Sequence, residues 1–267
     1  MREKMARMLH LLSAPHRLER TLSLAEIQLN HLLFKHDAPR LDVVTFDQFL
    51  AHLQRHDALL FDLLQAGGEA AEAVQWIRSK FQSVMKERMN LPFPLFYNPD
   101  TSFALLTYAL TRYLRPTLVL ETGVGYGITS ALALAALMRN NLGRLVSIDF
   151  PPLADPHGSS IGIAVPEHLR KHRWLLYHGS SRRSLPTILS NVERIDLFIS
   201  DSANVYTLQR REFHLVYPKL SVGGSAVFNN ICSKLQTFLH SFNNIQFHSI
   251  AQMEKSPCVT GLILKKR

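Results

Sequence analysis

The stretch Thr117–Asp149, TLVLETGVGYGITSALALAALMRNNLGRLVSID, decides the fold. It opens on Leu118-Val119-Leu120, a short β-prone run that ends on an acid, Glu121, and breaks into Gly123-Val124-Gly125-Tyr126-Gly127. Ile128 to Met138 is apolar and helix-like and closes on a polar turn ending in Gly143. A second short strand, Arg144 to Ile148, stops on Asp149. Strand, glycine turn, helix and strand make a βαβ unit, and in a doubly wound sheet the first turn of such a unit is where a nucleotide-like ligand sits. Glycines suit that place because a backbone without Cβ turns tightly and approaches a ligand closely.

The spacing of the glycines separates two ligand classes. A dinucleotide fingerprint, G-x-G-x-x-G, needs its third glycine at position 128, which is Ile128. An NAD-linked oxidoreductase is therefore disfavoured. The third glycine is Gly127, giving E-x-G-x-G-x-G from Glu121. That pattern resembles motif I of the class I S-adenosylmethionine-dependent methyltransferases. The resemblance implies S-adenosyl-L-methionine as cofactor, with Glu121 facing its amino-acid end, Asp149 on the ribose hydroxyls, and Gly123, Gly125, Tyr126 and Gly127 forming the turn around it. Phe150 opens a stiff segment, Phe150-Pro151-Pro152, that could close over the adenine.

Much of residues 95–242 is similar to a bacterial group within that superfamily, related to sugar and macrolide O-methyltransferases. The shared phrases are Glu121-Thr122-Gly123-Val124 with Gly127, Ser147-Ile148-Asp149 with Pro151, and Gly179-Ser180 with Leu185-Pro186. Ser180 joins the cofactor residues on this ground. The chain departs from the group after the fourth and fifth strands. His-Asp-Ser-x-His is replaced by Ser200-Asp201-Ser202-Ala203-Asn204, and a pair of acids by Asn229-Asn230. A Mg²⁺ site there would keep one carboxylate and two amides, a poor set for a hard ion, so no metal is expected. Asp201 is left as the single candidate base and as a cofactor neighbour. His157, in a loop, is an outside candidate for substrate contact, and His214, inside a helix, reads as a packed or surface residue. These losses also motivate a second reading, a methyltransferase-fold protein that binds or scaffolds without turnover.

The chain has 267 residues, 46% hydrophobic and 19% charged, enough for one large α/β domain with an appendage. Cys232 and Cys258 make neither a disulfide framework nor a metal cluster. With no membrane-length apolar run and no recognisable leader, a cytoplasmic protein is expected. The net charge of +9 is uneven, since residues 1–90 carry 12 Lys/Arg against 11 Asp/Glu and the remainder 18 against 10. The surplus gathers at Arg170, Lys171, Arg173, Arg182 and Arg183, with His168, His172 and His178 among them. No nucleic-acid module accompanies this cluster, so it reads as a solvated face, and the partner expected is a small-molecule or saccharide acceptor.

Residues 1–90 read as a helical appendage. Leu22, Leu24, Ile27, Leu29, Leu32 and Leu33 form a helical stripe, Thr45 with Gln48 makes a capping box for a helix over Phe46 to Gln65, and Glu69 to Met89 follows after a glycine turn. This appendage is a lid over the cofactor or the arm of a homodimer, and the sequence leaves the two open. Residues 91–100, with Pro92, Pro94 and Pro99, are the linker. The domain from 101 to 267 begins with a helix capped by Asp100 or Thr101. Strands then follow at Trp174 to Tyr177, Ile195 to Ile199, Ser225 to Phe228, Ile245 to Ile250 and Cys258 to Leu264. The expected fold is α/β, a Rossmann-like seven-stranded methyltransferase sheet, mostly parallel with an antiparallel last strand.

Overall fold

A computed structural model describes residues 21, 25–29, 42–86, 93, 95, 98–152, 155 and 157–266. Positions Leu22, Leu24, Leu32 and Leu33 of the first helical stripe, and half of the linker over 91–100, lie outside the described residues.

The described strands are β1 (Val43–Val44), β2 (Leu118–Thr122), β3 (Arg144–Asp149), β4 (Trp174–His178), β5 (Ile195–Ser200), β6 (Leu220–Phe228), β7 (Ile245–Ala251) and β8 (Val259–Lys265). They form one sheet in the order β1-β7-β8-β6-β5-β2-β3-β4. Only β8 runs antiparallel to its neighbours, β6 and β7. The seven strands expected from the sequence are present, and β1 adds an eighth by pairing parallel to β7 at the edge. Two valines before a helix cap are too short to read as a strand; their extended form comes from the free edge of β7.

Eight of the helices matter for the site: α1 (Phe46–His56), α2 (Ala58–Leu64), α3 (Glu69–Lys86), α4 (Thr101–Leu114), α5 (Ile128–Asn140), then, beyond the short α6 (Glu167–Arg170), α7 (Ser181–Ser190), α8 (Tyr206–Val216) and α9 (Ser233–His240). The helix expected over Phe46 to Gln65 is two. Asp57, at φ −153°, ends α1 and caps α2 by accepting from Leu60 N at 3.1 Å. Thr45 and Gln48 do form the capping box.

Alternation along the strands sorts the core into two layers. Val119, Leu145, Leu197, Ile199 and Val227 face α4 and α5. Leu118, Leu120, Val146, Ile148, Phe198 and Phe228 face α7, α8 and α9. Because β2 lies between β3 and β5 with helices on both faces, all five of its residues are buried, which is why it reads as a continuous apolar run. Helix α4 is buried over ten consecutive residues, Ser102 to Thr111. Helices α1 to α3 cover it from outside, and Phe49, Leu64 and Ile77 belong to the same cluster as Leu106 and Leu132. Strand β6 starts at Leu220 and runs through Gly223-Gly224, where the register with β5 shifts, instead of starting after the glycines. Among the described residues no helix is long and apolar enough to cross a membrane.

Candidate active site

The carboxyl ends of β2, β3, β5 and β6 open onto a cleft, as the chain order of the sheet requires. Two adjoining cavities lie in it, of about 280 Å³ and about 450 Å³. Gly123, Asp149, Ser202, Ala203, Val205 and Ile27 line both.

The smaller cavity is bounded by Phe150, Pro151 and Pro152 after β3, by Ser180 and Arg182 at the start of α7, and by Val205 and Leu208 at the start of α8. The helical segment 25–29 adds Glu26 and Ile27 to its wall. Glu26 of that segment pairs with Arg182 and accepts from Thr207 Oγ1 at 2.8 Å, so one carboxylate ties the N-terminal region to α7 and α8.

At the junction of the cavities stands Asp149. Its Oδ2 accepts from the amides of Val124 at 3.0 Å and Gly125 at 2.7 Å, and its Oδ1 from Phe150 N at 2.6 Å. Burial pushes its carboxyl above the ordinary range and these three amides pull the other way. The glycine turn is shaped for two different approaches. A Cβ on Gly123, at φ +83°, would lie 2.2 Å from the backbone oxygen of Asp201, so this glycine lets β2 and β5 meet at their ends. A Cβ on Gly125, at φ +52°, would meet no atom within 4 Å and would instead stand in the open cavity. Such a cradle fits a ligand brought against bare backbone. Tyr126 lines the larger cavity, packs edge-on to Phe93 and donates to Phe93 O at 2.7 Å.

Glu121 departs from its expected place. The sequence reading ended the first strand at Leu120, with Glu121 at its polar tip; β2 continues to Thr122, so Glu121 lies inside the sheet and points to the α5 side. It is fully buried and lines neither cavity. Its Oε2 accepts from Ser130 of α5 and Ser147 of β3, each at 2.6 Å, and burial raises its carboxyl to about 7. It lies beneath the turn, where its charge acts on both Asp149 and Asp201.

Asp201 lines the larger cavity beyond β5. Its Oδ1 accepts from Asn229 Nδ2 at 2.7 Å. Burial raises its carboxyl to about 8, opposed by the Asn229 bond, reinforced by the charge of Glu121, and eased by Lys255. Asn229 in turn accepts from Gln252 Nε2 at 2.7 Å, so one residue of the asparagine pair holds Asp201 at the end of a chain of amides. Among the described residues no three His, Cys, Asp or Glu side chains converge as a metal site. His157 and His214 are exposed and line neither cavity. Much of the basic cluster is engaged internally. Arg170 donates to Val165 O and Gly162 O, Arg173 to Gly143 O, and Arg182 holds Glu26.

Sequence reasoning missed Glu26, Gln252 and Lys255 as cleft residues, and also Glu212. This last is a buried acid of α8 that accepts from Thr122 Oγ1 at 2.9 Å and Ser200 Oγ at 3.2 Å, with its carboxyl raised by burial. A Glu among Arg210, Arg211 and His214 gives no local signal of burial.

Residues 120–231 match the family described as Methyltransferase domain. That segment holds the glycine turn, Asp149, Ser180, Asp201 and the asparagine pair. Cofactor-bound Rv0187 from MTB is 14% identical at a TM-score of 0.56, over 79% of this chain and 96% of its own. The O-methyltransferase from Bacillus cereus in complex with SAH is 16% identical at 0.53, over 80% and 98%. TomG from Streptomyces achromogenes, an O-methyltransferase of tomaymycin synthesis in complex with SAM, is 16% identical at 0.52, over 82% and 96%. At these identities the likeness is one of fold, and the fold is the Rossmann-like one of the class I methyltransferases. No curated protein matches the chain in sequence.

Proposed function

We propose that this protein is an S-adenosylmethionine-dependent methyltransferase acting on a hydroxyl group of a small molecule. The observation that carries the reading is the junction of the two cavities, where Asp149 at the end of β3 faces a glycine turn whose Gly125 is open to the cleft. Asp149 would hold the ribose hydroxyls, Phe150, Pro151 and Ser180 the adenine, and the turn from Gly123 to Gly127 the amino-acid end. Bound there, the cofactor would supply an electrophilic methyl carbon for in-line attack by the acceptor oxygen, with S-adenosylhomocysteine as the leaving group. Alignment then supplies much of the rate, and the larger cavity supplies the alignment. Asp201, on the wall of that cavity, is the group that takes the hydroxyl proton. Its raised carboxyl, at about 8, is a stronger base than an exposed aspartate but holds its proton at neutral pH. Activity is therefore expected to climb as pH rises through about 8.

Calorimetric titration with S-adenosylhomocysteine tests the site. Wild-type protein should bind it in the micromolar range, and Asp149→Ala should weaken it about 100-fold, the loss of two charge-assisted hydrogen bonds. Equal affinity in the two proteins would sink the assignment. Binding without methyl transfer to any hydroxyl acceptor would instead favour a binding or scaffold protein, the reading to which Asn204, Asn229 and Asn230 point.

A further inference from the structure

The larger cavity runs past the glycine turn to a wall that includes Gln252 and Lys255 of the connection between β7 and β8. That connection is tied down at successive residues. Asp100, the cap of α4, accepts from Met253 N at 3.1 Å and from Glu254 N at 2.7 Å. The Glu254 carboxylate pairs with Arg78 of α3 at 3.1 Å and accepts from Thr101 Oγ1. The Lys255 ammonium donates to the backbone oxygen of Asn98. Gln252 and Lys255, both lining the cavity, thus stand on a fixed mount.

Their chemistry is complementary. Gln252 is about 95% buried; its Nε2 is bound to Asn229, and its Oε1 has no hydrogen-bond partner. A buried acceptor left unmade costs free energy that a donor from a ligand would recover. Lys255 brings a positive charge close enough to Asp201 to act on its titration, and Asp201 holds its proton at neutral pH. Phe93, Pro99 and Ile27 add an apolar flank.

We propose that this end of the cavity is the methyl-acceptor subsite, and that Lys255 and Gln252 select a hydroxylated acid. The acceptor's anionic group pairs with Lys255, and a hydrogen-bond donor of the same molecule answers Gln252 Oε1. This deepens the methyltransferase reading and rests on it.

The pair 4-hydroxybenzoate and 4-hydroxybenzamide tests it, being alike in shape and different in charge. Each is titrated by calorimetry into full-length protein saturated with S-adenosylhomocysteine. The acid should bind about 10-fold more tightly than the amide, the scale of one charge-assisted contact. Lys255→Met should erase that difference while S-adenosylhomocysteine affinity stays at the wild-type value, and Lys255→Arg should keep it. Gln252→Leu should weaken 3,4-dihydroxybenzoate, which keeps one hydroxyl to donate to Oε1 while the other faces Asp201, and an unchanged affinity for it overturns the role given to Gln252. Equal binding of the two probes by wild-type protein, or a difference that survives Lys255→Met, overturns the proposal and leaves the methyltransferase reading intact. Failure to bind S-adenosylhomocysteine at all overturns that reading and this proposal with it.

Discussion

Asp149 and Asp201 share one cavity, and their neighbours set them different tasks. Burial raises the carboxyls of both, but three backbone amides oppose that shift at Asp149 and fix its two oxygens at the glycine turn. Asp201 has one amide donor from Asn229, and burial dominates, so its carboxyl rises to about 8 from the ordinary 3.8. The folded state then binds a proton that the unfolded chain gives up near 3.8. Stability present below that pH is lost progressively as pH rises toward 8. Asp201→Asn keeps an oxygen for Asn229 and removes the charge. Its melting temperature should match wild type at pH 4 and exceed it at pH 8 by at least about 2–4 °C, the shift that 1 kcal/mol gives in a chain of this size. A constant offset at both values would show that the proton is not held. The glycine turn offers a second contrast. Gly123→Ala places a Cβ 2.2 Å from the Asp201 backbone and should lower the melting temperature severely. Gly125→Ala costs only the left-handed conformation, about 1–2 kcal/mol, and should instead weaken S-adenosylhomocysteine binding by roughly 10-fold or more. Asp149 was legible in the sequence because it ends a strand whichever residue is taken as the last. Glu121 lies within β2 and not beyond its end, because the strand continues through Thr122. Lys255 and Gln252 were not legible, since contacts to Asp100, Arg78 and Asn98, between 153 and 176 residues away in sequence, set the course of their loop.

Among the elements, the segment 25–29 has the most to do with the cleft for its size. It contributes Ile27 to both cavities and Glu26 to Arg182 and Thr207. The apolar stripe around Ile27 was visible as a helical pattern, but amphipathicity says which face is buried and not against what. Docking over the cavity is a matter of two side chains on α7 and α8. Glu26→Ala should release S-adenosylhomocysteine about 10-fold faster, the worth of one partly buried charged contact, with little change in melting temperature. A stopped-flow displacement experiment measures this, and an unchanged rate would mean that the segment rests on the cleft without gating it. The central parallel strands β2, β3 and β5 were legible to within a residue or two because burial on both faces leaves continuous apolar runs between turn signals. The break at Asp57 was not, since a polar residue on a helix surface and one capping a new helix look alike in sequence. The same holds for β1, whose two valines become a strand only through β7.

Across the molecule, α1 to α3 are not separated from the sheet by any gap in the packing. Phe49, Leu64 and Ile77 share a buried cluster with Val119, Leu132 and Leu197. The two tryptophans report on the two regions, Trp76 on α3 and Trp174 on β4. If the cluster is one cooperative unit, Trp76→Phe and Trp174→Phe variants followed by fluorescence should unfold with the same transition shape and coincident midpoints in urea. Two separated midpoints would show that the N-terminal helices unfold alone. The layering around the sheet followed from the sequence pattern, whereas this continuity depends on α4 being covered on both sides, which its uninterrupted burial reveals only in three dimensions. The cleft carries a last consequence. Its two cavities share Gly123, Asp149, Ser202 and Val205, so a ligand in one rests on walls that also bound the other. By thermodynamic reciprocity, whatever factor the nucleoside ligand adds to acceptor affinity, the acceptor returns to the nucleoside ligand. The common wall thus makes the cleft a two-ligand linkage system, in which order of addition changes the path and never the final occupancy.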